Sequence, residues 1–186
     1  MKRLFDIVCG LVGLVVLALP MAAIALAVRA TSPGPAIHWS QRVGRDNALF
    51  AMPKFRTMRI DTPQVATHLL EEPGRWVTPI GRFLRRSSLD ELPQVWSILI
   101  GDMSVVGPRP ALFNQDDLVA LRTEAGVHRL APGLTGWAQV NGRDELTIPE
   151  KVALDREYAD RSSLVLDLRI IGLTLVAAMS GRGVSG

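Results

Sequence analysis

The sequence predicts an α/β protein, mostly helical with a small β-hairpin or sheet, joined to an N-terminal membrane helix that breaks and re-enters. Three observations predict it. Residues 4–28 form an apolar run interrupted only by Asp6 and broken by Pro20. Residues 37–59 carry alternating apolar and polar positions around turn chemistry, the signature of strands. The remainder alternates helix-start signals with glycine and proline turns. Two regions follow: a membrane segment over 1–30 and a compact cytosolic domain over 31–186, with amphipathic helices at the membrane surface. With 186 residues, 48% of them hydrophobic, and a mean hydropathy of +0.21, the chain is too apolar for a disordered one.

The first segment is not read as a cleaved signal peptide. Its apolar run of ~22 residues exceeds the usual ~7–15, and Arg29, Arg42 and Arg45 follow it. Lys2 and Arg3 precede it, so both flanks are basic. A simple crossing shows asymmetric flanks. Symmetric ones fit a helix that enters and leaves by one face, with Pro20 at the break. Prolines occur in spanning helices as well, so a straight crossing stays open on these grounds.

Thr31-Ser32-Pro33-Gly34-Pro35 marks the exit from the membrane. Ile37–Ser40 is a short strand, Gln41–Asn47 a loop or hairpin, and Lys54–Arg59 a second strand with Lys54 and Arg56 on one face. Thr78 and Pro79 start a helix as N-cap and first residue. Arg82, Arg85 and Arg86 then share a helical face that suits anionic headgroups. Gln94–Ile100 is an apolar helix, Ala111–Ala125 a surface helix, and Ile148–Tyr158 another. Leu164–Met179 is an interfacial or core-packed helix, because Asp167 and Arg169 interrupt it.

The chain carries one cysteine, Cys9, and three scattered histidines. No disulfide framework or zinc site follows from them. Of 21 basic residues all but Lys2, Lys54 and Lys151 are arginines, which suit bidentate phosphate contacts. The chemistry concentrates at Ser88-Leu89-Asp90-Glu91-Leu92-Pro93-Gln94. One reading is purely structural: a Ser88-x-x-Glu91 capping box, or Asp90 itself as N-cap with Pro93 in the first turn. The other uses the same helix start to hold two carboxylates ionised. Asp90 would then be a nucleophile and Glu91 a ligand for a divalent cation. Lys54, Arg56, Arg85, Arg109 and Arg143 would neutralise a transferred phosphoryl group. Gly107-Pro108-Arg109-Pro110 fixes one of these guanidiniums in place. The glycine-rich stretch Pro132–Arg143 offers a weak phosphate-loop signal, since glycine lets backbone approach a ligand.

Those motifs, in that order, resemble the bacterial sugar transferase family, the monotopic phosphoglycosyl transferases. The carrying residues are Lys54–Met58, Ser88–Gln94, Gly101–Ser104, Gly107–Pro110 and Pro132–Arg143, with Gln139 in the last. The resemblance covers nearly the whole chain, at the length of the small single-domain form. It implies transfer of a phospho-sugar from a UDP-sugar to a polyprenol (undecaprenyl) phosphate, yielding a polyprenyl diphosphate sugar and UMP, the first membrane step of glycoconjugate assembly. It implies that Asp90 forms a covalent phospho-sugar intermediate in a ping-pong scheme and that Glu91 helps bind Mg²⁺. It also implies a re-entrant helix at Pro20 and a place on the cytoplasmic face of the bacterial inner membrane. Membrane lipids, downstream glycosyltransferases and a second copy of the chain are the partners it suggests; nucleic acid is not expected. Leu19 and Pro53 depart from the family's usual residues. The competing expectation is a non-catalytic module that binds anionic lipid through Arg82, Arg85 and Arg86. A phosphatidyltransferase is disfavoured, because its spaced-aspartate motif is missing.

Overall fold

The computed structural model of the protein describes residues 1–62, 73–142 and 145–180. Helices dominate around two small sheets. Helix α1 covers Lys2–Thr31. A hairpin of β1 (Ile37–Val43) and β2 (Leu49–Phe55) follows. Then come α2 (Pro73–Trp76), α3 (Pro79–Ser87), a 3₁₀ turn over Leu89–Gln94, and α4 (Val95–Ile100). Strands β3 (Ser104–Val106) and β4 (Ala111–Leu112) precede α5 (Asp116–Glu124). The chain continues through β5 (Gly133–Thr135), α6 (Trp137–Val140), α7 (Ile148–Arg161) and α8 (Leu164–Ser180).

The hairpin is antiparallel, with Ile37 opposite Phe55 and Val43 opposite Leu49. β4 joins the other side of β1, leaving β2 at the edge. An edge is where Pro53 fits, since it cannot donate to a ladder. β2 stops at Phe55, so the strand expected to reach Arg59 is shorter. The surface helix expected from Ala111 begins only at Asp116, because Ala111 and Leu112 pair with Val43 and Arg42. β3 and β5 pair in parallel, where the sequence suggested only turns. The capping read at Thr78 is present: its hydroxyl accepts from Gly81 N at 3.0 Å, with Pro79 at the first position.

Helix α1 is long and apolar enough to cross a membrane, with a mean hydropathy of 2.7 over its most apolar window and little of that window buried. The helix continues through Pro20, so the break expected at that residue does not form. A proline removes one N–H bond there without ending the run. Its two ends are anchored to the rest of the protein. At the start, Lys2 Nζ pairs with Asp167 at 2.8 Å. Arg3 donates to the carbonyls of Ile98 and Leu99 at 2.5 and 2.6 Å, at the C-terminal end of α4 where carbonyls lack helical partners. Asp6 is buried and accepts from Ser104 Oγ and Val105 N, both at 2.9 Å. Gly10 lies where a Cβ would sit 2.7 Å from Leu99 Cδ2, so its absence lets α1 approach α4. At the far end, Val28 packs with Phe55 and Leu84 in a buried cluster. Between these zones, Leu11, Val12, Val15, Val16 and Leu19 are exposed. An open apolar groove of about 340 Å³ is lined by Leu14 and Met21 of α1 and by Phe55, Pro93 and Trp96.

Helix α8 turns Leu166, Asp167 and Ile170 inward and leaves Leu164, Val165, Leu168, Leu175 and Val176 exposed. It is packed on the core and presents an apolar outer face, combining the two roles anticipated for it. Its Asp167 also accepts from the Tyr158 hydroxyl at 2.7 Å. Removing Asp6 would strand one buried hydroxyl and one backbone N–H. Asp6→Ala is therefore expected to lower stability by about 1–3 kcal/mol, read by thermal unfolding in detergent. A transition at the wild-type temperature would deny Asp6 an anchoring role.

Candidate active site

Two elements meet at the acidic pair. Helix α3 ends at Ser88, whose φ of 55° lies in the left-handed region. That conformation is uncommon outside glycine, and it redirects the chain into the 3₁₀ turn. Asp90 and Glu91 both fall in the first turn of that segment. Ser88 makes no side-chain cap, so neither anticipated capping arrangement forms. What holds the acids is tertiary. The 3₁₀ turn lies against β2, and Lys54 Nζ donates to Glu91 Oε1 at 2.9 Å. Arg109 Nη2 donates to the same oxygen at 2.9 Å. Among the described residues no hydrogen bond falls on Glu91 Oε2.

Electrostatics distinguish the two carboxyls. Burial would raise Glu91, but the charges of Arg109 and Lys54 and the bonds from both outweigh it and bring its pKa from 4.5 to about 2. Asp90 is 8% exposed, and burial pushes its pKa up; Lys54 and Arg85 draw it down while Glu91 adds to the rise. The shift runs opposite to the one a helix start alone would produce. The short 3₁₀ turn supplies little dipole, and desolvation is the larger effect. Lys54 is lowered by burial, with Glu91 opposing. Arg85 is likewise lowered by burial, opposed by Asp90.

Lys54, Arg85 and Arg109 therefore converge on Asp90 and Glu91, as the sequence suggested. Arg85 leaves the shared face with Arg82 and Arg86: it turns inward and donates to Thr57 Oγ1 at 2.9 Å, while the other two stay exposed. Arg56 is not brought to the set. β2 ends before it, and its guanidinium donates to the carbonyls of Pro35 at 2.7 Å and Ser32 at 3.0 Å. It is 6% exposed and braces the exit from α1. Gln139, on α6, bonds back to β5, Nε2 to Leu134 O at 3.1 Å, and among the described residues its buried Oε1 has no partner. Arg143 lies outside the described residues.

The glycines at 133 and 136 serve a different approach from the one anticipated. A Cβ at Gly133 would lie 2.0 Å from Gly107 N, and one at Gly136 would lie 2.1 Å from Gly107 O. They let this stretch close on the Gly107–Pro110 turn. Arg42 is a site residue that sequence reasoning missed. It lies two positions beyond Ser40 and four beyond His38, which pairs with Lys54, so it shares the Lys54 face of the sheet. Burial first, then Arg109, lowers its pKa to about 10, with Glu91 opposing. Only the hairpin register reveals that proximity.

The donor set fits Mg²⁺ in one respect. That ion needs one or two carboxylates and takes its remaining ligands from phosphate and water. Asp90 and Glu91 are adjacent, and Glu91 Oε2 carries no bond from a described residue. Among the described residues no cluster of three or more metal-ligating side chains exists, so an all-protein cage is not what this site offers. Two carboxylates ringed by Arg42, Lys54, Arg85 and Arg109 carry a cationic surplus suited to a phosphate-bearing ligand.

A helix long and apolar enough to cross a membrane, joined to a domain with a cation-ringed carboxylate pair, is the class that fold and site define. The chain belongs to the bacterial sugar transferase family, whose model matches residues 1–181. It is 40% identical over 183 residues to the UDP-glucose:undecaprenyl-phosphate glucose-1-phosphate transferase of Escherichia coli (strain K12), covering 94% of this chain and 39% of that protein. It is 36% identical to the undecaprenyl-phosphate galactose phosphotransferase of Salmonella typhimurium, covering 98% of this chain and 41% of that protein. An uncharacterised sugar transferase of Bacillus subtilis (strain 168) is 38% identical, with 99% of this chain and 90% of that protein covered. The chain thus spans about two fifths of the E. coli and Salmonella proteins.

The low Glu91 value carries a pH consequence. A depressed acid stabilises the fold fully above its unfolded value, near 4.5, and loses that contribution as pH falls towards 2. In metal-free protein, Glu91→Gln should therefore flatten the fall in thermal stability between pH 4.5 and 2. Acid limbs of equal steepness in the variant and wild type would contradict the double ion pair.

Proposed function

We propose that the protein transfers a hexose 1-phosphate from a UDP-sugar to a polyprenol phosphate at the membrane surface. The observation that carries this reading is the convergence of Lys54, Arg85 and Arg109 on a buried Asp90 beside an ionised Glu91. Family membership supports the reaction class, and the relatives' names favour glucose or galactose as the sugar. In the first half-reaction the Asp90 carboxylate attacks the sugar-bearing phosphorus. The bond to the bridging oxygen breaks, and UMP leaves with its electrons. In the second, an oxygen of the polyprenol phosphate attacks the same phosphorus. The Asp90 carboxylate departs, and the polyprenyl diphosphate sugar is released.

The residues divide the work. Asp90 is held largely out of water, so little hydration must be stripped before it attacks. Lys54 and Arg85 offset its charge and are placed to bind the phosphate oxygens. Arg109 holds Glu91 and faces the same region. Asp90 and Glu91 would hold Mg²⁺, which supplies charge neutralisation on the diphosphate. Arg82, Phe83 and Arg86, exposed on α3, fit the headgroup layer beside α1.

We read α1 as entering and leaving the membrane by one face, the cytoplasmic one. A straight crossing places its ends on opposite sides of a hydrocarbon core of about 30 Å. Lys2 and Arg3 at one end and Val28 at the other pack on the same domain. That supports a re-entrant seat for the helix as a whole.

Two experiments test this. A panel of UDP-sugars, led by UDP-glucose and UDP-galactose, should show UMP release that EDTA abolishes and Mg²⁺ restores. Asp90→Asn should reduce it by roughly 10³-fold or more, and wild-type protein quenched without polyprenol phosphate should carry a sugar-phosphate adduct on Asp90. Retained turnover in Asp90→Asn, with deamidation excluded by mass, would remove the nucleophile. Separately, single cysteines placed at position 2 and after Gly186, in a Cys9→Ser background, should label from the same side of inverted vesicles. Labelling from opposite sides would overturn the re-entrant reading.

A further inference from the structure

The turn that presents Arg109 has a support of its own. Prolines at 108 and 110 have no N–H to contribute, so its carbonyls do the holding. Pro108 O accepts from Gly133 N at 2.8 Å. Arg109 O accepts from Arg122 Nη1 at 2.7 Å. Pro110 O accepts from Arg42 Nη1 at 3.4 Å. All three carbonyls of the Pro-Arg-Pro unit are taken, two of them by guanidiniums from separate elements.

Arg122 is gripped in turn. Its Nε and Nη2 both donate to Asp155 Oδ2, at 2.9 and 2.6 Å. Its side chain is 11% exposed and that of Asp155 is 2% exposed. A buried ion pair of this kind is weak evidence for stability, because desolvation offsets its attraction. Nor is it needed to join α5 to α7, since Leu118 and Val152 already pack together with Ala111. What it does contribute is direction. With Asp155 fixing Nε and Nη2, Nη1 is aimed at the Arg109 carbonyl. On the same residue, Nη2 reaches Glu91 Oε1 at 2.9 Å.

We infer that Arg122, oriented by Asp155, is a positioning residue that fixes where the Arg109 guanidinium meets Glu91 and the substrate phosphate. The inference rests on the reading of the site given above. A continuous chain of contacts runs from α7 through α5 and the Pro-Arg-Pro turn to the acidic pair. Neither Arg122 nor Asp155 touches the reacting atoms. A guanidinium displaced by about 1 Å can cost on the order of 100-fold in rate, so this remote pair would be felt at the site.

The test uses the full chain in detergent or nanodiscs. Removing one partner strands a buried charge and risks the fold, so both are replaced together, as Arg122→Met with Asp155→Leu. Such apolar replacements of buried pairs commonly leave stability intact or raised. Thermal unfolding should stay cooperative, while kcat/KM for UMP release falls about 100-fold. Adding Arg109→Gln to this variant should cause little further loss, because both changes act through one guanidinium. Wild-type kcat/KM in the folded paired variant, or losses that multiply independently, would overturn the inference. A second readout needs no turnover. The stability coupling between Arg109 and Glu91, from a double-mutant cycle, should shrink markedly in the paired variant; an unchanged coupling would overturn it too. Failure of wild-type protein to release UMP from any UDP-sugar would instead strike the proposed function, leaving the coupling cycle to decide the inference.

Discussion

Glu91 Oε1 is the point on which the site depends. One oxygen accepts from a lysine on a strand and from an arginine on a proline-bounded turn, so three otherwise separate pieces of backbone meet there. Neither cation would be left buried without compensation, and neither would Glu91. The arrangement is self-consistent: the ion pairs that hold Glu91 charged bring Lys54 and Arg109 beside Asp90. The cost of burying Asp90 is moderated by cations already in place for its neighbour. One carboxylate can thus be strongly stabilised as an anion while the adjacent one is destabilised as an anion by burial. Two residues with the same chemistry acquire different roles.

Below this layer, glycine sets how closely the pieces can come. Gly107, Gly133 and Gly136 allow β5 and the Pro-Arg-Pro turn to touch backbone to backbone, and Gly81 lets α3 sit on the Thr57 carbonyl. These contacts place the supports of Arg109 and Arg85 respectively. A glycine-rich stretch invites a ligand-cradling interpretation; its close neighbour within the domain is the Gly107–Pro110 turn.

What could be read from sequence was local. The Thr78–Pro79 helix start, the helix from Ile148 and the hairpin near residue 37 depend on neighbours a few positions apart, and each formed. Asp90, Glu91, Lys54 and Arg109 were found because their motifs stand in a recognisable order. The misreadings share one cause: long-range partners. Arg56 looked like a phosphate ligand by alternation with Lys54, but β2 ends one residue earlier and the carbonyls of residues 32 and 35 claim it. Arg42 went unnoticed because only cross-strand register puts it on the Lys54 face. Arg122 and Asp155 are 33 positions apart, and nothing in either neighbourhood announces the pairing. The upward pull on the Asp90 pKa could not be read because burial is not written in a capping pattern.

The anchoring of α1 bears on how the protein is made. Lys2, Arg3 and Asp6 are synthesised well before the residues that hold them. Their partners lie 95 positions later at Ile98, 98 later at Ser104 and 165 later at Asp167. Contacts of such high sequence separation close slowly. Until those partners emerge, the charged groups at the start of α1 have none of the bonds that seat them in the folded protein. Only when α8 emerges can Asp167 receive both Lys2 and Tyr158. Completion of the fold and final seating of α1 are then one late event, and a chain that stalls before residue 167 carries α1 without the contacts that hold its start.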